Sequence, residues 1–148
     1  MSQNNPHPFA GLAPARAASQ PRGLLATSRL RTGVSATAVS QTFKRARDRH
    51  HQLAVTGMML FDGERFAYLL CGAAAAVGGA FDALAQDPHQ AGTVVRYDSP
   101  LSPSWAAQGW RSGWSEPDAL LVLEAPTLTG DSAMLEVWRA LIGAGDLL

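Results

Sequence analysis

The spacing of apolar residues changes several times along the chain, and each change predicts an element. Gly23-Leu-Leu-Ala-Thr-Ser28 is a short apolar run closed by the turn-prone Arg29–Gly33, which predicts a first strand. Ser35 then suits a helix N-cap, and Val39, Phe43, Ala46 and His50 recur every three or four residues after it. That repeat is one face of a helix, with His50 on the inward stripe. Lys44, Arg45, Arg47, Asp48 and Arg49 fall on the other sides, where water solvates them.

Val55–Phe61 and Phe66–Cys71 are two apolar runs joined by Asp62-Gly63-Glu64-Arg65, in which Asp-Gly supplies the positive φ of a tight hairpin turn. Strand alternation puts Phe66, Tyr68 and Leu70 on the helix-facing side and Cys71 on the other. Ala73–Gln86, with Val77, Phe81 and Leu84 at helical spacing, predicts a second helix that Asp87-Pro88 ends, although Gly78 and Gly79 weaken it. Thr93–Tyr97 is a fourth strand by its β-branched content, and Ala119–Leu123 a fifth, with a loop carrying Trp105, Trp110 and Trp114 between them. Ser132 is placed to cap a last helix from Ala133 to about Gly143, whose Met134, Trp138 and Leu141 share a side that must pack on the sheet or on a second copy.

This order of elements predicts an α+β fold of ferredoxin-like plan: a mixed β-sheet with two helices on one face, plus a C-terminal helix. Residues 1–21, rich in Pro, Ala, Ser, Gln and Asn, have no periodic apolar pattern and read as a flexible tail. The domain is expected over 22–124 and a helical extension over 125–148.

Composition narrows the class. At 148 residues the chain suffices for one core, and its 12 basic and 12 acidic residues argue against a charge-driven partner such as nucleic acid. Basic residues near the end of the first helix complement its dipole instead. The single Cys71 excludes an internal disulfide and fits a reducing cytoplasm. No run reaches the roughly 18 apolar residues needed to span a bilayer, and the N-terminus lacks the apolar core of a secretion signal, so neither is expected. His50, His51, His89 and Cys71 lack closed metal-ligand spacing, and no metal is expected.

Leu53-Ala-Val-Thr-Gly-Met-Met-Leu-Phe-Asp-Gly-Glu-Arg-Phe-Ala-Tyr-Leu-Leu-Cys-Gly72 resembles the signature of BLUF domains, blue-light sensors that use FAD, whose usual form is ITGxLLYxxGxFxQxLEG. Leu24-Leu-Ala-Thr-Ser28 is similar to that family's LIYxS strand, Asp87-Pro-His-Gln90 to its DPRH, and Trp110-Arg-Ser-Gly-Trp114 to its WxMGF. The resemblance runs from about Arg22 to Trp114. It implies a flavin held between the two helices above the sheet, with light rearranging hydrogen bonds among a Tyr, a Gln and the flavin. By position, that Tyr falls on Ala26 and that Gln on Tyr68. The flavin-holding Asn falls on His50, its neighbour on Arg49, the Glu of LEG on Cys71 and the Met of WxMGF on Ser112. The family's flavin pocket therefore corresponds to Ala26, Ser28, Arg49, His50, Tyr68, Trp110 and Ser112, mostly substituted.

Alanine has no hydroxyl to donate an electron or proton, and His50 offers only part of the donor-acceptor edge of an Asn. Tyr68 is larger than a Gln and Ala26 smaller than a Tyr, so the pair is expected to conserve volume, with Tyr68 intruding on the ring site. The expected function is a BLUF-type sensory or protein-interaction domain without the standard photocycle, with FAD weakly bound or absent. One alternative is an FAD-binding photoreceptor of altered photochemistry. Another is an acylphosphatase-like hydrolase, for which Thr27-Ser-Arg-Leu-Arg-Thr-Gly33 offers only a loose phosphate loop and no Asn outside the tail is available. No nucleophile-and-base set stands out, so catalysis is not expected. Homo-oligomers, which the resemblance suggests, and a separate protein partner are the expected associations. The three Trp residues serve either an exposed binding surface or the cover of a sheet edge.

Overall fold

The computed structural model describes residues 21–101, 109–124, 131–144 and 146–147. Residues 1–20 of the expected tail and Trp105 lie outside them, while Pro21, its last residue, accepts the Leu101 N–H at 2.8 Å. The elements run β1 (Arg22–Leu30), α1 (Ala38–Gln52), β2 (Thr56–Phe61), β3 (Arg65–Gly72), α2 (Ala74–Ala85), β4 (Gln90–Pro100), β5 (Trp110–Trp114), a 3₁₀ segment (Ala119–Glu124), α3 (Asp131–Ala144) and β6 (Asp146–Leu147). The sheet order is β4-β1-β3-β2-β5-β6. β2 and β5 pair in parallel while the other neighbours are antiparallel, so the sheet is mixed as expected.

Apolar residues on both sides of β1 and β3 dictate a central place for these strands, since only a sheet covered twice buries them all. Leu24, Ala26, Phe66, Tyr68 and Leu70 pack beneath α1 and α2 with Val39, Phe43, Val77 and Leu84. Leu25, Ala67, Leu69 and Cys71 meet Leu120, Leu123, Met134, Leu135 and Trp138 on the opposite face. The last helix thus covers its own sheet. The hairpin turn forms as its Asp-Gly pair predicts, with Gly63 at φ 98°.

Three expectations need correction. Ala119–Leu123 is 3₁₀, not a strand: Leu120 and Leu123, three apart, reach the core together, while Leu121 and Val122 face water. The buried carboxylate of Asp62 fixes that turn by accepting the Leu120 N–H at 3.0 Å. The fifth strand is instead Trp110–Trp114, read above as loop; the two-residue period of a strand places Trp110 and Trp114 on the same side, where they meet α1. Ser35 does not cap α1, which begins at Ala38; its hydroxyl lies 2.7 Å from that of Thr37, and the preceding turn closes through the Ala38 N–H to the Ser35 carbonyl. Nothing is described of the Ser132 side chain expected to cap α3.

The hairpin tip is tied to the 3₁₀ segment by charge as well. Arg65, almost wholly buried, meets Glu64 at 2.9 Å, Asp118 at 3.2 Å and Glu124 at 3.2 Å, and Asp62 lies 3.6 Å away. Asp62 also accepts the N–H groups of Glu64 and Arg65 at 3.1 and 2.7 Å.

Candidate functional site

Antiparallel pairing of β1 with β3 sets Ala26 directly opposite Tyr68, and both side chains point toward α1 and α2. Each is 0% exposed. The Tyr68 hydroxyl has no hydrogen-bond partner among the described residues. Burial, with a smaller contribution from the Asp87 charge, raises its pKa far above the ordinary phenol value, so it stays protonated.

The helical stripe of α1 carries His50 inward at its last turn. His50 is 0% exposed, and neither ring nitrogen has a partner among the described residues. Burial first, and the neighbouring Arg49 charge second, lower its pKa to about 4, which leaves the imidazole neutral near pH 7. Its ring meets Trp110 edge to face, with centroids 4.0 Å apart, and the Trp110 indole N–H is also buried and unpartnered. Trp114 packs likewise on Phe43 and Phe61. These two Trp residues therefore flank α1 at the β5 side of the sheet, although Trp114 keeps 38% of its surface in water.

Ser28 follows Ala26 on the same side of β1, but its buried hydroxyl donates to Gln90 Oε1 at 2.6 Å. Ser112 stands on β5 opposite Met59, half-buried. Arg49 projects at the surface of α1 and has no ion-pair partner among the described residues. Arg45 is held by both carboxylate oxygens of Asp87, at 3.1 and 3.2 Å. Of the seven sequence-selected residues, Ala26 and Tyr68 lie together at the floor and Arg49, His50 and Trp110 lie near the end of α1, while Ser28 and Ser112 belong to neither group.

A cleft of about 320 Å³ opens between the helices, lined by Arg45, Arg49 and His50 on one side and Leu84, Asp87 and Pro88 on the other. His50 is also part of the wall of a second groove of about 380 Å³, shared with Thr56, Gly109 and Trp110. No strand residue lines the first cleft, so neither Ala26 nor Tyr68 is reached from it. The sequence assigns Asp87 only the end of α2 and Gln90 no role, although both lie in the quoted Asp87-Pro-His-Gln90 motif; their partners, Arg45 and Ser28, are far away in sequence.

Ala26 and Tyr68 fill the sheet floor beneath α1 and α2, with no exposed surface. Among the described residues no set of three or more His, Cys, Asp or Glu side chains is arranged to hold a metal ion. Among the described residues no helix is long and apolar enough to cross a membrane.

A family model described as "BLUF: Sensors of blue-light using FAD" matches residues 23–105. Solved structures share the fold. BlrB, a BLUF protein in its dark state, aligns with a TM-score of 0.68 at 22% identity, over 86% of this chain and 98% of its own. BlsA in its photo-activated state gives 0.67 at 12% identity, over 82% and 94%. BlrP1 of Klebsiella pneumoniae with FMN and cyclic diGMP gives 0.51 at 22% identity, over 55% of this chain but 22% of the larger BlrP1 chain. No curated protein matches the chain by sequence.

Proposed function

Because the chain belongs to the BLUF family of blue-light sensors using FAD, we propose that it is a sensory and protein-interaction domain of that family from which the flavin photocycle has been lost. One observation carries this reading. The positions that the resemblance assigns to the photoactive Tyr and Gln hold Ala26 and Tyr68, which face each other in a fully buried pair. Alanine supplies no hydroxyl for electron or proton transfer. The tyrosine has no amide to rotate, and its bulk fills the floor. His50, where the resemblance puts the flavin-holding Asn, offers one donor and one acceptor at most in its neutral form.

Such a domain works through protein contacts, by self-association or with a separate protein. BlrP1, whose chain extends far beyond the shared fold, illustrates a BLUF unit accompanied by other parts. Cytoplasmic placement accords with the single cysteine, free and buried.

A second reading has an observation of its own. The unpartnered His50 nitrogens, Tyr68 hydroxyl and Trp110 N–H are the kind of buried groups that a polar ligand satisfies. In that reading Tyr68 and His50 turn to receive FAD, with altered photochemistry. The deciding experiment is to purify the full chain with FAD supplied and record its visible spectrum in the dark and after blue light. A colourless protein that takes up no flavin supports the first reading; bound flavin with a reversible light-induced shift defeats it.

A further inference from the structure

We infer that His89 is a proton-operated latch on the cleft between α1 and α2: neutral, it holds the Arg45 guanidinium across the mouth; protonated, it lets that side chain go. The inference goes beyond the reading above and does not depend on whether a flavin binds. Arg45 on α1 and Asp87, just past the end of α2, stand on opposite walls of the cleft, so their ion pair is a bridge over it.

A single nitrogen makes that bridge. Arg45 Nη2 lies 3.1 and 3.2 Å from the two Asp87 carboxylate oxygens and 3.0 Å from His89 Nδ1. Its two hydrogens suffice for one bond to each residue. A guanidinium only donates, so Nδ1 is the accepting nitrogen and the neutral ring carries its proton on Nε2. The buried Thr42 hydroxyl, 3.1 Å from Nδ1, ties α1 to the same atom.

Protonation turns Nδ1 from acceptor to donor and sets two cations against each other at 3.0 Å. Histidine is the side chain whose charge ordinarily changes between about pH 5 and 8. One partner has to move, and the backbone decides which. The His89 N–H donates to Asp87 Oδ1 at 2.8 Å, its carbonyl accepts the Arg31 N–H at 2.8 Å, and the Arg31 guanidinium donates to the Pro88 and Gln90 carbonyls at 3.1 and 3.0 Å. The Arg45 side chain, half in water, is the one free to swing out. The charged groups around the ring are Arg45 from α1, Arg31 from the end of β1 and Asp87 from its own turn. With one carboxylate among them, Asp87, 4.0 Å from Nδ1, passes from Arg45 to the imidazolium.

The test is an NMR titration of the full-length chain from about pH 8 to about pH 5, clear of the His50 step at about 4. At the neutral end, long-range proton–nitrogen correlations should place the His89 ring proton on Nε2. Through the His89 titration, followed on its carbon-bound ring protons, backbone amides of residues 42–46 and 86–90 should shift with the same midpoint, and the Arg45 guanidinium should lose the slow rotation of a held group. His89→Gln keeps an acceptor but cannot titrate, so these shifts should vanish and Arg45 should stay held. His51→Gln, changed at an exposed histidine of the same helix, should titrate as the parent does. A neutral His89 with its proton on Nδ1, an Arg45 guanidinium unmoved through the His89 midpoint, or the same shifts in the His89→Gln protein overturns the inference. The tautomer and the guanidinium are read on the parent chain alone, so a poorly folded variant does not shelter the inference. Flavin colour bears on the lost photocycle and on none of these outcomes.

Discussion

His50 and Trp110 line one groove together, their rings 4.0 Å apart at 72° and all three of their ring nitrogens unpartnered among the described residues. An imidazole so placed tolerates neutrality and resists a proton. That resistance makes His50 one source of acid sensitivity in the fold.

The His50 pKa falls from 6.5 to about 4 on folding, so between those values the unfolded chain binds a proton that the native chain does not. Stability from this residue is therefore complete above about pH 6.5 and is lost as pH falls toward 4, with a ceiling of about 3 kcal/mol. Urea midpoints of parent and His50→Phe proteins at pH 7 and pH 4.5 measure it. The variant, with no group to titrate, should show a clearly smaller loss in acid.

Ala26 and Tyr68 are expected to be thermodynamically coupled. Adding a phenol at 26 overfills a closed interior and should cost about 1–3 kcal/mol. In the Ala26→Tyr/Tyr68→Gln protein part of that cost should return, with a coupling on the order of 1 kcal/mol or more in a double-mutant cycle read by denaturation. Strict additivity would show that the two side chains do not compete for one space. Only the double variant should gain flavin colour when FAD is supplied.

Asp62 organises three backbone N–H groups, those of Glu64, Arg65 and Leu120, from a buried position. Asp62→Ala strands these donors and removes one counter-charge of Arg65, at a cost of about 3 kcal/mol or more. Hydrogen exchange should localise the damage to the hairpin tip and to residues 119–124, with α1 little affected. Uniform loosening of the whole chain would contradict this assignment.

Gly57 adopts φ 137°, and a Cβ there would collide with the Leu69 carbonyl oxygen on the adjacent strand. Both the conformation and the contact forbid a side chain, so Gly57→Ala should destabilise by about 2 kcal/mol or more. A thermal melt unchanged from the parent would refute it.

Much of this fold is legible in the sequence. The 3.6-residue period of Val39, Phe43, Ala46 and His50 foretold which side of α1 is covered, and alternation in β3 separated Tyr68 from Cys71. Both are local signals, repeated along one element. Ala119–Leu123 misled because five apolar residues in a row have no period, and its winding is decided by Asp62, nearly sixty positions earlier. Trp110–Trp114 hid for a related reason: a short strand at the β2 side of the sheet is defined by parallel pairing with Gly57–Phe61, not by its own composition. At the candidate site the identities of Ala26, His50 and Tyr68 were readable. The filled floor and the free Arg49 were not, since they depend on how two helices and three strands share volume.

The double covering of β3 has one more consequence. Tyr68 and Ala67 serve opposite layers, so sliding the strand by a single position would drive a phenol into the space beneath Trp138 and leave a methyl group under α1. Both layers would object at once. The central strand therefore has one threading that satisfies its two neighbours, and either layer, once in place, proofreads the other.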